Sequence, residues 1–248
     1  MKSPSLLRHK FQLGQHSVGT WMQISSPEIA EIFAANNLFD WVVVDDEHGC
    51  FNSSVLPSIC RSIELHGKLP FIRLKDRTYK SARDVAEFGF SGFIVPMVES
   101  AKDLLNVFNA INYPPLGTRG VGFCRSNQYG INFNSSFKQD SPFLVSIIES
   151  ALAVQNLDSI LQFKHLDAIM VGPYDLSTSL SIPGEFDNPL FTSTLATIRE
   201  KCRFYNVPFG QHIVSNDKNL LDEAIINGSK FIVYSMDSVM LSNPFQIP

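Results

Sequence analysis

Trp41-Val42-Val43-Val44-Asp45-Asp46-Glu47-His48-Gly49 is an apolar run that ends abruptly in three acids and a histidine. Four consecutive apolar residues suit a strand buried on both faces of a parallel sheet, and the glycine ends it. Polar groups gathered at the carboxyl end of such a strand lie where α/β sheets, open or closed, place their active sites. The stretch therefore reads as one barrel strand with its catalytic edge.

The flanking sequence repeats this unit. Gly19-Thr20-Trp21-Met22-Gln23 reads as an earlier strand. Ser26-Pro27-Glu28 carries the start signals of the helix after it: a serine cap, a proline in the first turn and an acid just inside. Downstream, strands are predicted over 69–74, 92–98, 143–148, 166–171, 208–213 and 231–235. Helices are predicted over 54–66, 80–88, 104–111, 153–161, 190–205 and 220–226. Strand starts fall in pairs about 22 residues apart, the length of a compact βα unit. Eight such units in 248 residues predict a single (β/α)8 TIM barrel over 1–248.

Two segments break the rhythm. Residues 113–142 are rich in Gly, Asn, Ser and Pro, and a loop that long inside a compact domain is usually functional. After the last strand only 236–248 remain, with Pro244 and Pro248 among them, too little and too proline-rich for a full eighth helix. The outer surface of the first and last strands is then expected to be covered by another chain or by the lead segment.

Composition narrows the class of partner. A hydrophobic content of 44% is enough for a full core. The formal net charge of -4, with Lys and Arg scattered, leaves no footprint for nucleic acid or an acidic membrane, so small molecules are the expected partners. Cys50, Cys60, Cys124 and Cys202 form no C-x-x-C pair, which indicates neither a disulfide framework nor a zinc cluster and fits a reducing cytoplasm. No apolar run suits a signal peptide or approaches the roughly 20 residues of a membrane span.

In a barrel, residues at strand carboxyl ends converge on one mouth. The ionisable groups there are Asp45, Glu47 and His48, then Arg73, Glu149 and Asp175. Each has a structural alternative: a solvated histidine, an arginine paired with a neighbouring acid, a glutamate favouring a helix dipole, and an aspartate capping a helix. Together they suit a chemical site. Two carboxylates on adjacent strands can hold a hard divalent cation, while a histidine and an arginine supply a base and an anion clamp. His212, at the end of the seventh strand, is a weaker candidate as ligand or substrate contact. Cys50 lacks a group to orient a Cys-His pair with His48, and Gly117, Gly120 and Gly122 do not form a dinucleotide-binding turn.

At these residues the chain resembles the metal-dependent (class II) 2-oxo acid aldolases, typified by 4-hydroxy-2-oxoheptanedioate aldolase and 2-dehydro-3-deoxyglucarate aldolase. The resemblance runs through Gly19-Thr20-Trp21, Phe39-Asp40-Trp41, Asp45-Asp46-Glu47-His48-Gly49, Gly92-Phe93-Ile94-Val95-Pro96-Met97-Val98, Tyr113-Pro114-Pro115, Gly117-Thr118-Arg119-Gly120 and Gly172-Pro173-Tyr174-Asp175-Leu176-Ser177. It implies a lyase that cleaves a 4-hydroxy-2-oxo acid reversibly to pyruvate and an aldehyde. Glu149 and Asp175 would ligate Mg²⁺ or Mn²⁺, and the backbone near Gly172, Tyr174 and Asp175 would hold the 2-oxo acid's carboxylate. His48, oriented by Asp45, would move the proton at the aldehyde oxygen, and Arg73 would clamp the 2-oxo group. Glu47 and Glu87 would hydrogen-bond waters on the metal, and the loop bearing Arg119, Arg125, Asn127 and Tyr129 would select the aldehyde. A homo-oligomer is also implied. The chain departs from the family pattern at Ile147, where glutamine usually contacts the 2-oxo acid, at Glu87, where aspartate is usual, and in its short terminus. Decarboxylation of a 2-oxo acid, hydrolysis with His48 and His212 as metal ligands, and a non-catalytic 2-oxo acid binding barrel are the alternative readings.

Overall fold

The computed structural model describes residues 3–138 and 140–242. Eight strands, parallel throughout and hydrogen-bonded in sequence order, close into a barrel. The first half runs α1 (Pro4–Gln12), β1 (Ser17–Met22), α2 (Pro27–Ala35), β2 (Trp41–Asp45), α3 (Leu56–Leu65), β3 (Leu69–Arg73), α4 (Tyr79–Glu87), β4 (Gly92–Val95) and α5 (Ala101–Ile111). The second half runs α6 (Phe133–Ser136), β5 (Phe143–Ile148), α7 (Ala151–Gln155), α8 (Leu157–Leu161), β6 (Ala168–Val171), α9 (Pro173–Ser179), α10 (Pro189–Phe204), β7 (Phe209–Ile213), α11 (Lys218–Ile226), β8 (Phe231–Met236) and α12 (Asp237–Ser242). Among the described residues no helix is long and apolar enough to cross a membrane.

Side-chain caps start α2, where the sequence signals it, and α4. Ser26 accepts the N–H of Ile29 at the head of α2, with Pro27 behind it, and Thr78 accepts the N–H of Ser81 at the head of α4. The helix expected over 153–161 is two, broken at Asn156.

Strand alternation sends two populations of side chains to opposite sides. Val42 and Val44 pack outward against the helices, while Trp41 and Val43 join the barrel interior. The lower interior is aromatic: Trp41 stacks on Phe231 with ring centres 4.3 Å apart and on Phe71 at 5.3 Å, and Phe143 stands 5.6 Å from Phe71. Gly19 makes room for this layer, since a Cβ there would lie 2.0 Å from the Trp41 ring. Gly19→Ala is therefore expected to destabilise the barrel by about 1–3 kcal/mol through overpacking, read as a lowered urea midpoint; an unchanged midpoint would show that the aromatic layer yields freely.

The lead segment is a helix and plugs the floor of the barrel. Leu7 and Phe11 of α1 join the interior cluster, with the Phe11 ring 5.9 Å from Phe143. Arg8 anchors the helix through Asp167, at 2.6 and 2.8 Å, and the carbonyls of Ser141 and Pro142. The outer surface of β1 and β8 is covered instead by this chain's own α11, through Leu221 and Ala224, and by Met240 of α12. The eighth helix is thus short, and Pro244 and Pro248 lie outside the described residues.

Because every strand runs the same way, strand-to-helix loops share one end of the barrel and helix-to-strand loops the other. The long loop joins α5 to β5, so it lies at the amino-terminal end. Its Arg119 meets Glu87, and its Arg125 donates to the carbonyl of Phe88 at 2.8 Å, both at the carboxyl terminus of α4.

Candidate active site

At the carboxyl end of β2 the chain does what the acids in the sequence suggest. Asp45 is fully buried and points into the mouth, whereas Asp46 turns outward to Lys75, 3.4 Å away. Arg73, at the register position beside Asp45, grips it with Nε and Nη2, each at 2.7 Å. Gln23 of the first βα loop donates to the same carboxylate at 2.7 Å. These donors outweigh the burial and hold Asp45 down at about 2.

Asp45 acts on the His48 loop through the main chain. Its Oδ1 accepts the backbone N–H groups of Glu47 and His48, at 3.3 and 3.2 Å, while its remaining capacity goes to Arg73 and Gln23. The carboxylate orients the main chain that carries His48, leaving the imidazole exposed. A side chain at the strand end meets the turn's amides before it can reach a ring three residues on.

Arg73 also reaches Glu47, with Nη1 2.9 Å from Oε2, and its guanidinium lies 5.0 Å from the centre of the Trp21 ring. One N–H on each terminal nitrogen remains for a ligand. Trp21 stacks in turn with His212, at 5.1 Å. Burial lowers His212 to about 4, and its Nε2 donates to the carbonyl of Ser235 at 3.2 Å. It serves as a neutral brace for Trp21.

Across the mouth Glu149 follows β5, buried to 4% exposure. Its Oε1 accepts the backbone N–H of Met97, whose φ of +51° lies in the left-handed region that aims this amide. Burial, and then the neighbouring charges of Asp175 and Glu47, push Glu149 up to about 7. Ile147 lies one inward position below, adding an apolar wall beside the carboxylate. Gly172 opens the space above: a Cβ there would sit 2.7 Å from Glu149 Oε2 and 3.3 Å from Ile147.

Asp175 stands in the first turn of α9, where Gly172 is the cap, so it is free of the capping role that its sequence context offers. Gly172 itself gives its N–H to the carbonyl of Ile148, which leaves the first-turn amides of Tyr174 and Asp175 to face a ligand. The Tyr174 ring packs edge-on against Phe186 at 5.0 Å.

Glu47, Glu149 and Asp175 therefore form a set of carboxylates that repel one another, and oxygen donors of this kind suit a hard divalent cation. Among the described residues no three His, Cys, Asp or Glu side chains close on one point. Within one chain Glu87 lies apart from this set. It sits at the end of α4, on the opposite face of the barrel, paired with Arg119. The aldehyde-selecting role expected for Arg119, Arg125, Asn127 and Tyr129 fails within one chain for the same topological reason. Sequence reasoning misses Gln23 and the Met97 amide; the first is visible as a polar residue at a strand end, the second has no side-chain signal.

A barrel with this mouth has known counterparts. Residues 17–244 match the family described as HpcH/HpaI aldolase/citrate lyase. The chain belongs to that family. Its relatives include the 2-keto-3-deoxy-L-rhamnonate aldolase of Salmonella gallinarum (strain 287/91 / NCTC 13346), 28% identical over 230 residues, 92% of this chain and 85% of that protein. The protein of the same name in Escherichia coli (strain K12) is 28% identical over 239 residues, covering 95% and 88%. The crystal structure of the HpcH/HpaI aldolase from Desulfitobacterium hafniense DCB-2 superposes with a TM-score of 0.87 at 25% identity, over 98% of this chain and 97% of that one. As an HpcH/HpaI aldolase-family member the protein is a carbon-carbon lyase. The family is generally dependent on a divalent metal.

Proposed function

We propose that the protein cleaves a 4-hydroxy-2-oxo acid reversibly to pyruvate and an aldehyde at the carboxyl-end mouth of the barrel. The observation that carries this reading is the buried Glu149 carboxylate, opposed by Asp175 and Glu47 beside the Asp45–Arg73 pair. Relatives named for aldol chemistry on a 2-keto-3-deoxy acid support the substrate class.

Glu149 and Asp175 would hold the ion, Mg²⁺ or Mn²⁺, with Glu47 beside them. When bound, it supplies Lewis acidity to the 2-oxo group. Arg73, kept cationic by Asp45 and Glu47, neutralises charge that develops on the substrate, and its two unspent N–H groups point the clamp. The amides of Tyr174 and Asp175 bind the carboxylate at the positive end of α9. His48, exposed on a loop that Asp45 fixes through the main chain, takes the proton from the 4-hydroxyl as the C3–C4 bond breaks and its electron pair passes to the 2-oxo acid as an enolate, which takes up a proton at C3 to give pyruvate; the reverse direction runs the same steps backwards. Apolar Ile147 keeps the Glu149 side dry.

The test is pyruvate release, coupled to lactate dehydrogenase, from a panel of 4-hydroxy-2-oxo acids with Mg²⁺ or Mn²⁺ and then with excess chelator. Metal-dependent release on at least one substrate is expected, and none on any would remove the reading. His48→Ala is expected to slow cleavage by about 10² or more while metal affinity stays the same; unchanged turnover would take His48 out of the mechanism.

We also propose a homo-oligomer in the cytoplasm. Phe123 and Ile131 of the long loop are 73% and 85% exposed, a surface that association would cover. The four free thiols suit a reducing compartment.

A further inference from the structure

At the amino-terminal end of the barrel, opposite the mouth, a cavity of about 470 Å³ lies between α1, the carboxyl ends of α10 and α11, and the starts of β7 and β8. Four cations line it, Arg8, Arg199, Arg203 and Lys230, against the single carboxylate of Asp167, on a chain whose formal net charge is -4. Asp167 is spent on Arg8, which grips it with two nitrogens.

Among the described residues Arg199 meets neutral groups: Gln211 Oε1 at 3.2 Å, the carbonyl of Asn227 at 3.3 Å and the face of Phe209 at 4.3 Å. Three of its five N–H groups are unspent. Burial and the like charge of Arg203 lower its pKa. Arg203 follows one turn later on α10, and among the described residues it meets no acid. Like charges at this spacing destabilise a helix. Capping of α11 through Asn227 accounts for Arg199, and Lys230 donates to the carbonyl of Gly14; neither contact accounts for Arg203.

An anion between the two guanidinium groups removes the conflict, because each fork can present paired N–H donors to an oxyanion. We propose that the cavity binds a compact phosphate monoester. Arg199 and Arg203 hold the dianionic phosphate with Lys230 at its edge, and Phe11, Leu166, Val207 and Phe209 receive the carbon skeleton. The volume suits a ligand larger than the phosphate itself.

Calorimetric titration of the full chain with glycerol 3-phosphate, and separately with inorganic phosphate, tests this. Saturable binding is expected, tighter for the ester. Arg203→Gln should weaken it roughly tenfold, the loss of one charged hydrogen-bond partner. The Arg203 side chain is exposed and bonded to nothing among the described residues, so that variant should unfold at or slightly above the parent temperature; the Arg199→Gln variant should bind more weakly still. No saturation by either phosphate, or equal affinity in parent and Arg203→Gln, would overturn the proposal. Binding of tricarballylate in place of both would overturn the phosphate assignment.

Discussion

Glu149→Gln is expected to abolish metal-dependent turnover while making the metal-free protein more stable above neutral pH. The carboxyl stands at about 7 in the folded chain against 4.5 for an unperturbed glutamate, because it is buried and faces Asp175 and Glu47. A raised carboxyl binds its proton more tightly folded than unfolded, so the folded chain loses stability as pH rises from the unfolded value through the folded one. The full difference is roughly 3 kcal/mol by pH 8. Glutamine keeps an acceptor for the Met97 amide and removes the charge, so the metal-free variant should gain about that much at pH 8 and little at pH 4. Added Mg²⁺ or Mn²⁺ should raise the melting temperature of the parent and leave the variant unmoved. A metal titration of the variant that matches the parent would exclude Glu149 as a ligand.

The second large effect belongs to Asp45. Asp45→Asn should cost about 3 kcal/mol, the lower end of the range for removing one partner of a buried ion pair, since Glu47 still offsets part of the Arg73 charge. Activity should fall with it, because Arg73 loses the carboxylate that grips it with two bonds, while the asparagine oxygen can still accept the Glu47 and His48 amides. The pH dependence has the opposite sign to that of Glu149. Asp45 is held at about 2, below the ordinary aspartate value of 3.8, so its contribution is present above 3.8 and lost as pH falls toward 2. That share is roughly 2 kcal/mol. Urea unfolding at pH 4 and pH 2 should show the loss in the parent and not in the variant. Parallel pH profiles would mean that Arg73 does not hold Asp45 in solution.

The barrel is legible in the chain because period is a local property. Val42-Val43-Val44 has to be buried on both faces, the helix start at Ser26 is written in one turn of sequence, and the spacing of strands leaves only parallel crossovers. For the same reason Asp45, Arg73, Glu149 and Asp175 can be placed at one mouth, since each ends or follows a strand of known direction. The family resemblance names the chemistry they suit.

Tertiary structure decided what pairs with what. The resemblance implies that Asp45 orients His48, and the tertiary structure shows the route: Asp45 is held by Arg73 and Gln23 while its Oδ1 accepts the His48 backbone N–H. His212 looks available and is spent bracing Trp21. Glu87 and the loop of Arg119 and Arg125 look like parts of the site, yet they lie at the far end of the barrel. The physical reason is common to all of these. A side chain's type and its place on a strand are set by neighbours a few residues away, and the sequence alone determined those. Its hydrogen-bond partner and the charge state that burial imposes depend on chain segments tens to hundreds of residues distant. Only closing the barrel brings them within reach.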